Sequence, residues 1–253
     1  MIKLVTPNFE INNIDTVLFD KDGTFIDLHY FWGKMTEMRA QEVINRYNLT
    51  QNLFSPICSF LGYDCSLKKM LADGITALYS RKKIIEIFQK KLGELGIKTS
   101  ICELTEIFDF VSIEFYKEIH KYTKPINDAI NLIKELKKLG LKVGIVTSDS
   151  VESTKLTLRQ FSWENLFDIT VGRETIDATK ESGIPTKYAL EKLNANAETT
   201  LMIGDAPMDY ISAKNAGINN IILVATGQVS KEELSKTSQC VLESLKDVRC
   251  LKI

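Results

Sequence analysis

The sequence has 253 residues, of which 44% are hydrophobic and 26% are charged, and its formal net charge at pH 7 is −1. This length allows one large domain or two smaller ones, and the composition excludes a predominantly disordered chain. A nearly balanced charge without a long basic block argues against binding to nucleic acid or to an anionic membrane surface.

No apolar stretch reaches the roughly 18 residues of a membrane span, and the first residues lack the apolar run of a signal peptide. We therefore expect a cytoplasmic protein. The five cysteines are scattered and form no Cys-x-x-Cys pair. This pattern favours reduced, buried thiols over a disulfide framework or a zinc site.

In chain order, the first predicted strand covers about residues 16–20 and ends at a pair of aspartates. The following block, from about 28 to 122, contains amphipathic runs such as "SRKKIIEIFQKKLGELGI", which predict helices, and it shows no strong strand signal. From Pro125 onward, helical runs alternate with short apolar runs such as "LKVGIVTSD", "TTLMIGD" and "NNIILVATG". That alternation is typical of crossover units around a parallel sheet.

The helical block separates the first strand from its predicted partners. The simplest interpretation is one α/β core formed by residues 1–27 and 124–253, with a helical domain inserted at residues 28–123. A core of this size is ordinary for a single domain. Its apolar strands are predicted to be buried on both faces of the sheet.

Polar side chains follow three of the predicted strands at the point where each strand ends. They are Asp20 and Asp22 after the first strand, Thr147, Ser148 and Asp149 after the second, and Asp205 and Asp209 after "TTLMI". Because the carboxyl ends of parallel strands meet at one edge of a sheet, we expect these side chains to lie close together. Carboxylates this close need a cation, and a ligand set made of oxygen atoms favours Mg²⁺ over zinc or copper.

An anion is expected beside that cation, because Mg²⁺ in proteins commonly holds phosphate oxygens. Gly23 permits close backbone approach, and the N–H groups of the turn at residues 22–24 could bind an anion. The Thr147 hydroxyl could bind the same anion. A lysine is needed to offset the remaining charge, and the candidates are Lys180, ahead of a predicted helix, and Lys187 within it.

Four segments together resemble the motifs of the haloacid dehalogenase-like hydrolase superfamily in order and spacing. They are "FDKDGT", the strand that ends at Thr147, Lys180 ahead of a helix, and "GDAPMD". The helical block after the first motif resembles in position the cap domain of phosphoglycolate-phosphatase-like members. The resemblance implies an α/β fold, with a Rossmann-like three-layer core, a mainly parallel sheet and an inserted α-helical cap. It also favours Lys180 over Lys187.

The resemblance implies that Asp20 is the nucleophile, which becomes an aspartyl phosphate, and that Asp22 is the general acid and then the base. The implied ligands of Mg²⁺ are Asp20, Asp205 and the backbone carbonyl of Asp22. Asp209 would orient Lys180 or a water on the metal. The implied catalytic residues are therefore Asp20, Asp22, Thr147 and Lys180, and the implied phosphate-binding residues are Gly23, Thr24, Thr147, Ser148 and Lys180.

The sequence departs from the family pattern at two places. Lys180 is followed by Glu181, where proline is frequent in the family. Thr147 is followed by a serine and by Asp149, where asparagine is frequent. Asp149 either lies near the phosphate or caps the helix that starts near Val151, which is the commoner use of such a residue.

The sequence thus predicts a cytosolic, magnesium-dependent phosphatase that acts on a small phosphorylated metabolite, with the helical domain closing over the site. Asp22 favours phosphate esters, because an alkoxide leaving group needs an acid. Two alternatives remain. One is a phosphomutase that uses the same aspartyl phosphate, and the other is a catalytically idle binding protein on this fold.

Overall fold

The computed structural model describes residues 1–252, which form two compact units. One unit consists of Met1–Asp27 together with the chain from Lys124 onward, and the other is Leu28–Thr123. The strands are β1 Ile2–Val5, β2 Glu10–Ile14, β3 Thr16–Phe19, β4 Tyr63–Asp64, β5 Lys69–Met70, β6 Lys142–Val146, β7 Ile169–Val171, β8 Thr200–Gly204, β9 Asn220–Val224, β10 Val241–Leu242 and β11 Arg249–Lys252. The helices are α1 Leu28–Arg46, α2 Phe54–Phe60, α3 Ile75–Leu78, α4 Arg81–Glu94, α5 Ile101–Lys117, α6 Ile119–Tyr122, α7 Asn127–Lys138, α8 Val151–Gln160, α9 Ile184–Leu193, α10 Pro207–Asn215 and α11 Lys231–Leu234. Across residues 1–252, every helix is too short or too polar to cross a membrane.

The first unit is built on a six-stranded sheet with the order β10-β9-β8-β3-β6-β7, in which all the paired strands run parallel. Strand β3 lies at its centre, where Phe19 pairs with Ile145 of β6 on one side and with Ile203 of β8 on the other. All four residues of β3 are buried. Continuous apolar strands form here because both faces of the sheet are covered, so no position has to be polar.

Helices cover the sheet on its two faces. On one face, α9 and α10 share a buried cluster with the strands, made of residues that include Leu18, Val146, Ala189, Leu193, Met202 and Ala213. Across the sheet, the chain passes from β3 to β6 and β7 in one direction and from β8 to β9 in the other. Right-handed crossovers therefore place α7 and α8 on the face opposite to α9 and α10. This arrangement confirms the predicted Rossmann-like α/β core. The strand order reverses between β3 and β8, which is where such sheets bind ligands.

A second sheet in the same unit is antiparallel, with the order β11-β1-β2. This sheet was not predicted from the sequence. Its strands are short and partly exposed, and the pairing of β1 with β2 is interrupted by an irregularity between Ile2 and Leu4. The alternation of apolar and polar residues that indicates a strand is difficult to recognise over four or five residues when one of them departs from the pattern.

The second unit, Leu28–Thr123, is largely helical, as predicted. Helices α1 and α5 pack together, and the Phe31 ring meets the Phe115 ring edge-on at 5.0 Å. Helix α5 begins with a capping box in which the Ser100 hydroxyl accepts from the Glu103 N–H and the Glu103 carboxylate accepts from the Ser100 N–H. A ribbon of β4 and β5 also belongs to this unit. It gave no signal in the sequence because strands of two residues are too short to show an alternating pattern.

Arg39 of α1 is an unusual member of this unit's interior. Its side chain is 5% exposed, and its guanidinium lies 4.2 Å from the centroid of the Phe108 ring. Within residues 1–252, no hydrogen-bond acceptor reaches its Nε. Burial and then the nearby Arg81 lower the pKa of Arg39 to about 9. A buried cation whose donors are incompletely satisfied is expected to cost stability.

We expect Arg39→Met to raise the free energy of unfolding by about 1 kcal/mol, because an apolar side chain of similar length removes the desolvation cost of the cation. Chemical denaturation measures this change. The matched control is Arg46→Met on the same helix, where surface ion pairs with Glu42 and Glu106 contribute at most about 0.5 kcal/mol each. A greater loss of stability in Arg39→Met than in the control would contradict the prediction.

Candidate active site

The first motif continues the central strand and then turns sharply. The Asp20 N–H donates to the Ile203 carbonyl at 2.9 Å, so Asp20 is still held against β8. Gly23 then adopts a φ of +88°, and a Cβ added to it would overlap Oδ2 of Asp205. Glycine is therefore required here both for the left-handed backbone and for the close approach to Asp205.

Lys180 lies against the carboxylate of Asp20. Its side chain is buried, and Nζ is 2.5 Å from Oδ1 of Asp20 and 2.6 Å from Oδ1 of Asp209. Burial alone would lower the pKa of Lys180, but these two carboxylates raise it above its usual value. The other lysine considered from the sequence, Lys187, is exposed on α9. The structure therefore brings Lys180, and not Lys187, to the end of β3.

A single turn of 3₁₀ helix, Lys180–Ser182, positions that lysine. It ends at Gly183, which adopts a φ of +74°. A Cβ at Gly183 would lie 2.6 Å from the Cβ of Asn215 on α10, so the turn packs closely on that helix. The close packing directs Lys180 toward the same strand ends that carry Asp20 and Asp209.

Three aspartates form a buried carboxylate cluster at the point where the strand order reverses. Asp20, Asp205 and Asp209 each offer an oxygen within 4.8 Å of the others. The Thr24 hydroxyl donates to Oδ1 of Asp205 at 3.2 Å. Asp209 lies in the first turn of α10, where its Oδ2 accepts from the N–H groups of Asp205 and Ala206 at 3.0 Å each. The carboxylates are thus held in place by the surrounding backbone and side chains.

The charge in this cluster is unbalanced. Burial raises the pKa of Asp20 to about 7; Lys180 opposes that shift, while Asp209 and Asp22 add to it. Burial and then the charges of Asp20 and Asp209 raise the pKa of Asp205 well above its ordinary value. Since one buried ammonium faces three carboxylates, a further cation would stabilise the site. The donor set consists of hard oxygen atoms, which fits Mg²⁺.

Asp22 lies apart from the cluster and pairs with its neighbour Lys21. The Lys21 side chain is completely buried, and its Nζ is 2.5 Å from Oδ1 of Asp22 and 3.1 Å from Oδ2 of Asp149. Burial alone would lower the pKa of Lys21, but the two aspartates raise it above its usual value. Lys21 was not among the residues predicted from the sequence. In the sequence, the feature that could have indicated its role is its position between two aspartates, directly after an apolar strand.

The structure corrects one expectation about Asp149. The N-cap of α8 is Ser150, whose hydroxyl accepts from the Ser153 N–H at 3.0 Å. Asp149 instead turns inward to Lys21, and its Oδ1 accepts from the Ser150 N–H at 2.7 Å. A buried lysine competes successfully for Asp149 because a buried charge requires an opposite charge, whereas serine can cap the helix equally well.

The remaining predicted residues lie at the same edge of the sheet in different environments. Thr147 is buried directly after β6, and its hydroxyl accepts from the Asp149 N–H at 3.1 Å. Ser148 is exposed, with its hydroxyl 3.6 Å from Sδ of Met208. The phosphate-binding roles of Gly23, Thr24, Thr147, Ser148 and Lys180 remain predictions.

Sequence reasoning also missed two residues that follow β9. The Thr226 hydroxyl donates to the Gly23 carbonyl at 2.5 Å. A Cβ at Gly227 would overlap Oδ2 of Asp205, so this position also requires glycine. The "ATG" sequence after "NNIILV" was a usable signal, because it occupies the carboxyl end of the next parallel strand.

Curated relatives and solved structures resemble this chain over most of its length. It is 29% identical over 211 residues to the "Putative pyrophosphatase PpaX" of Caldanaerobacter subterraneus subsp. tengcongensis, covering 82% of this chain and 80% of the relative. It is 25% identical over 209 residues to the "Pyrophosphatase PpaX" of Bacillus mycoides, covering 82% of each.

Among solved structures, a "predicted phosphoglycolate phosphatase" from Haemophilus somnus superposes with a TM-score of 0.69 at 15% identity, covering 94% of this chain and 97% of that one. A "putative beta-phosphoglucomutase" from Thermotoga maritima superposes with a TM-score of 0.68 at 19% identity, covering 92% and 95%. At these identities the superpositions show a shared fold and do not distinguish a phosphatase from a mutase.

A family model decides the classification. The model described as "Haloacid dehalogenase-like hydrolase" matches residues 61–223, which is more than half of the chain. The match includes Thr147, Lys180, Asp205 and Asp209, and it begins after the first motif. That motif, with Asp20 at the end of the central strand, completes the same strand edge in the structure. The chain belongs to the haloacid dehalogenase-like hydrolase family.

Proposed function

We propose that this enzyme is a magnesium-dependent phosphatase that acts on a small phosphorylated compound through an aspartyl phosphate on Asp20. The observation that carries the proposal is the buried Asp20 carboxylate, placed 2.5 Å from Lys180 and within 4.8 Å of two further aspartates. A carboxylate oxygen is a suitable nucleophile toward phosphorus when nearby positive charge offsets the negative charge of the phosphate.

Each neighbouring residue has a role in this proposal. An oxygen of Asp20 attacks phosphorus and the leaving group departs, after which water attacks the phosphorus and restores the Asp20 carboxylate. Lys180 neutralises negative charge at the reacting atoms, and Asp209, at 2.6 Å, holds Lys180 in place. The Thr147 hydroxyl, together with the turn at residues 22–24, binds the phosphoryl oxygens.

Asp20, Asp205 and the backbone carbonyl of Asp22 are the residues that would hold Mg²⁺. When bound, the ion would supply the positive charge that the carboxylate cluster lacks and would stabilise charge on the phosphoryl oxygens. We assign substrate selection to residues 28–123, in the role of a cap domain.

The pairing of Asp22 with Lys21 bears on the class of substrate. A carboxylate held 2.5 Å from a buried ammonium is stabilised in its ionised form, which can accept a proton from water but cannot donate one. A leaving group that is itself a stable anion, such as phosphate, needs no donated proton. The names of the PpaX relatives indicate the same substrate class. We therefore infer that the substrate is a phosphoanhydride, in place of the phosphate ester expected when Asp22 was taken as the acid, with inorganic pyrophosphate as the first compound to test.

The test is phosphate release from pyrophosphate, phosphoglycolate, a hexose phosphate and p-nitrophenyl phosphate, each measured with Mg²⁺ and with a chelator. We expect turnover only with Mg²⁺ and the highest kcat/KM for pyrophosphate. Full activity in the chelator would contradict the metal assignment. A higher kcat/KM for the alkyl phosphates would contradict the phosphoanhydride assignment and leave the phosphatase assignment intact.

A further inference from the structure

Two buried lysines each contact a different pair of aspartates at this site. Lys180 contacts Asp20 and Asp209, and Lys21 contacts Asp22 and Asp149. Each lysine therefore joins one aspartate of the first motif to one aspartate from a later strand end. The second of these groupings, Asp22, Lys21 and Asp149, lies outside the carboxylate cluster, and its members Lys21 and Asp149 have no role in the mechanism so far.

Asp149 is rigidly held, and so it can locate the Lys21 ammonium. Its Oδ1 accepts from the Ser150 N–H at 2.7 Å, and its own N–H donates to the Thr147 hydroxyl at 3.1 Å. Its carbonyl accepts from the Arg173 N–H at 3.0 Å. The backbone of Asp149 and one oxygen of its carboxylate are therefore held in place, and the other carboxylate oxygen faces Lys21.

The Lys21 side chain, located by Asp149, in turn restrains the position of the Asp22 carboxylate. Because Lys21 is 0% exposed, it has few alternative rotamers, and its Nζ reaches Asp22 at 2.5 Å. Asp22 itself retains 12% side-chain exposure, so it borders solvent while being held from the buried side. Burying a lysine is costly, and a pair of apolar residues would stabilise this position at least as well. A function in placing Asp22 would account for the cost of burying these charges.

We propose that Lys21, held by Asp149, is a positioning residue that fixes the Asp22 carboxylate for proton transfer. This inference rests on the function proposed above. In the hydrolytic step, the water oxygen bonds to phosphorus and a water proton passes to Asp22. The bond from phosphorus to the Asp20 oxygen then breaks, with its electron pair returning to the Asp20 carboxylate. Displacing Asp22 by about 1 Å would slow this transfer by as much as 10²-fold.

A double-mutant cycle on kcat tests the proposal, using Lys21→Met, Asp22→Asn and the combined variant with Mg²⁺ and the best substrate from the screen. We expect Lys21→Met to lower kcat by about 100-fold in the wild-type background and to change KM by less than about threefold. In the Asp22→Asn background the same change should lower kcat by less than about threefold, because the residue that Lys21 positions is already disabled.

An equal loss of kcat from Lys21→Met in both backgrounds would overturn the proposal, since a purely structural role does not depend on the Asp22 carboxylate. If Lys21→Met does not fold, the cycle is made with Asp149→Asn, which keeps the shape of the side chain and removes its charge. The matched control is Lys137→Met, which removes a surface ion pair with Asp168 and should leave kcat within about twofold.

The cycle separates this proposal from the function on which it rests. Loss of activity in Asp20→Asn, combined with equal effects of Lys21→Met in both backgrounds, would keep the phosphatase assignment and reject the positioning role. A wild-type enzyme that releases no phosphate from any substrate in the presence of Mg²⁺ would overturn both.

Discussion

Asp20→Asn is expected to lower phosphate release by roughly 10⁴-fold or more, because the amide oxygen that replaces the carboxylate cannot form an acyl phosphate by attack on phosphorus. Steady-state phosphate release measures the loss, and intact-mass analysis of quenched enzyme should detect phosphorylated protein in the wild type alone. Asp247→Asn, at an exposed aspartate of the same unit, should leave turnover within about twofold. Retention of more than about 1% of activity in Asp20→Asn would reject Asp20 as the nucleophile.

Thermal unfolding of the variant is the test that the loss of turnover is chemical rather than a loss of folding. Folding raises the pKa of Asp20 from 3.8 to about 7, so its ionised form destabilises the folded state as the pH rises through that interval. Asp20→Asn removes this penalty. In metal-free buffer at about pH 8, the variant should therefore unfold at the same temperature as the wild type or higher, and its relative stability should decrease as the pH is lowered.

Lys180→Met is the second substitution with a large expected effect, because it leaves three buried carboxylates without their ammonium. We expect kcat to fall by about 10³-fold and the free energy of unfolding in metal-free buffer to fall by about 3 kcal/mol. The loss of stability should be larger at about pH 8 than at about pH 5, because the raised pKa values of Asp20 and Asp205 allow protonation at the lower pH.

Lys187→Met is the matched control for that experiment. Lys187 is exposed on α9, seven positions along the chain, and its replacement should change stability by less than about 0.5 kcal/mol and turnover by less than about twofold. Equal effects of the two substitutions would contradict the assignment of Lys180. Mg²⁺ should restore part of the stability of Lys180→Met, since an ion that binds only the folded state stabilises it.

The core strands were predictable because they are buried on both faces. After its first residue, Thr16, β3 is entirely apolar, and its neighbours β6, β8 and β9 likewise begin with one polar residue and then carry no polar side chain. The sheet β11-β1-β2 and the ribbon β4-β5 were not predicted, because strands of two to five residues with exposed positions carry little periodic signal.

The sequence by itself determined which polar residues would meet. Asp20, Thr147 and Asp205 each follow an apolar strand, and parallel strands end at the same edge, so order along the chain is sufficient to place them together. The same rule, applied to the strand before Thr226, would have found the glycine that approaches Asp205. The resemblance to the family then favoured Lys180 over Lys187 as the lysine of the site.

Only the tertiary structure decided which charges pair. Lys180 pairs with Asp20 although the two are 160 positions apart in the sequence. Lys21 pairs with the distant Asp149 and not with its neighbour Asp20. These choices depend on the direction in which each side chain leaves a loop and on the packing of the turn that carries Lys180. Strand periodicity predicts which residues reach this edge of the sheet, but it does not predict those side-chain directions. A buried ion pair forms only where loop geometry brings opposite charges within a few ångströms, so the pairing depends on the tertiary structure.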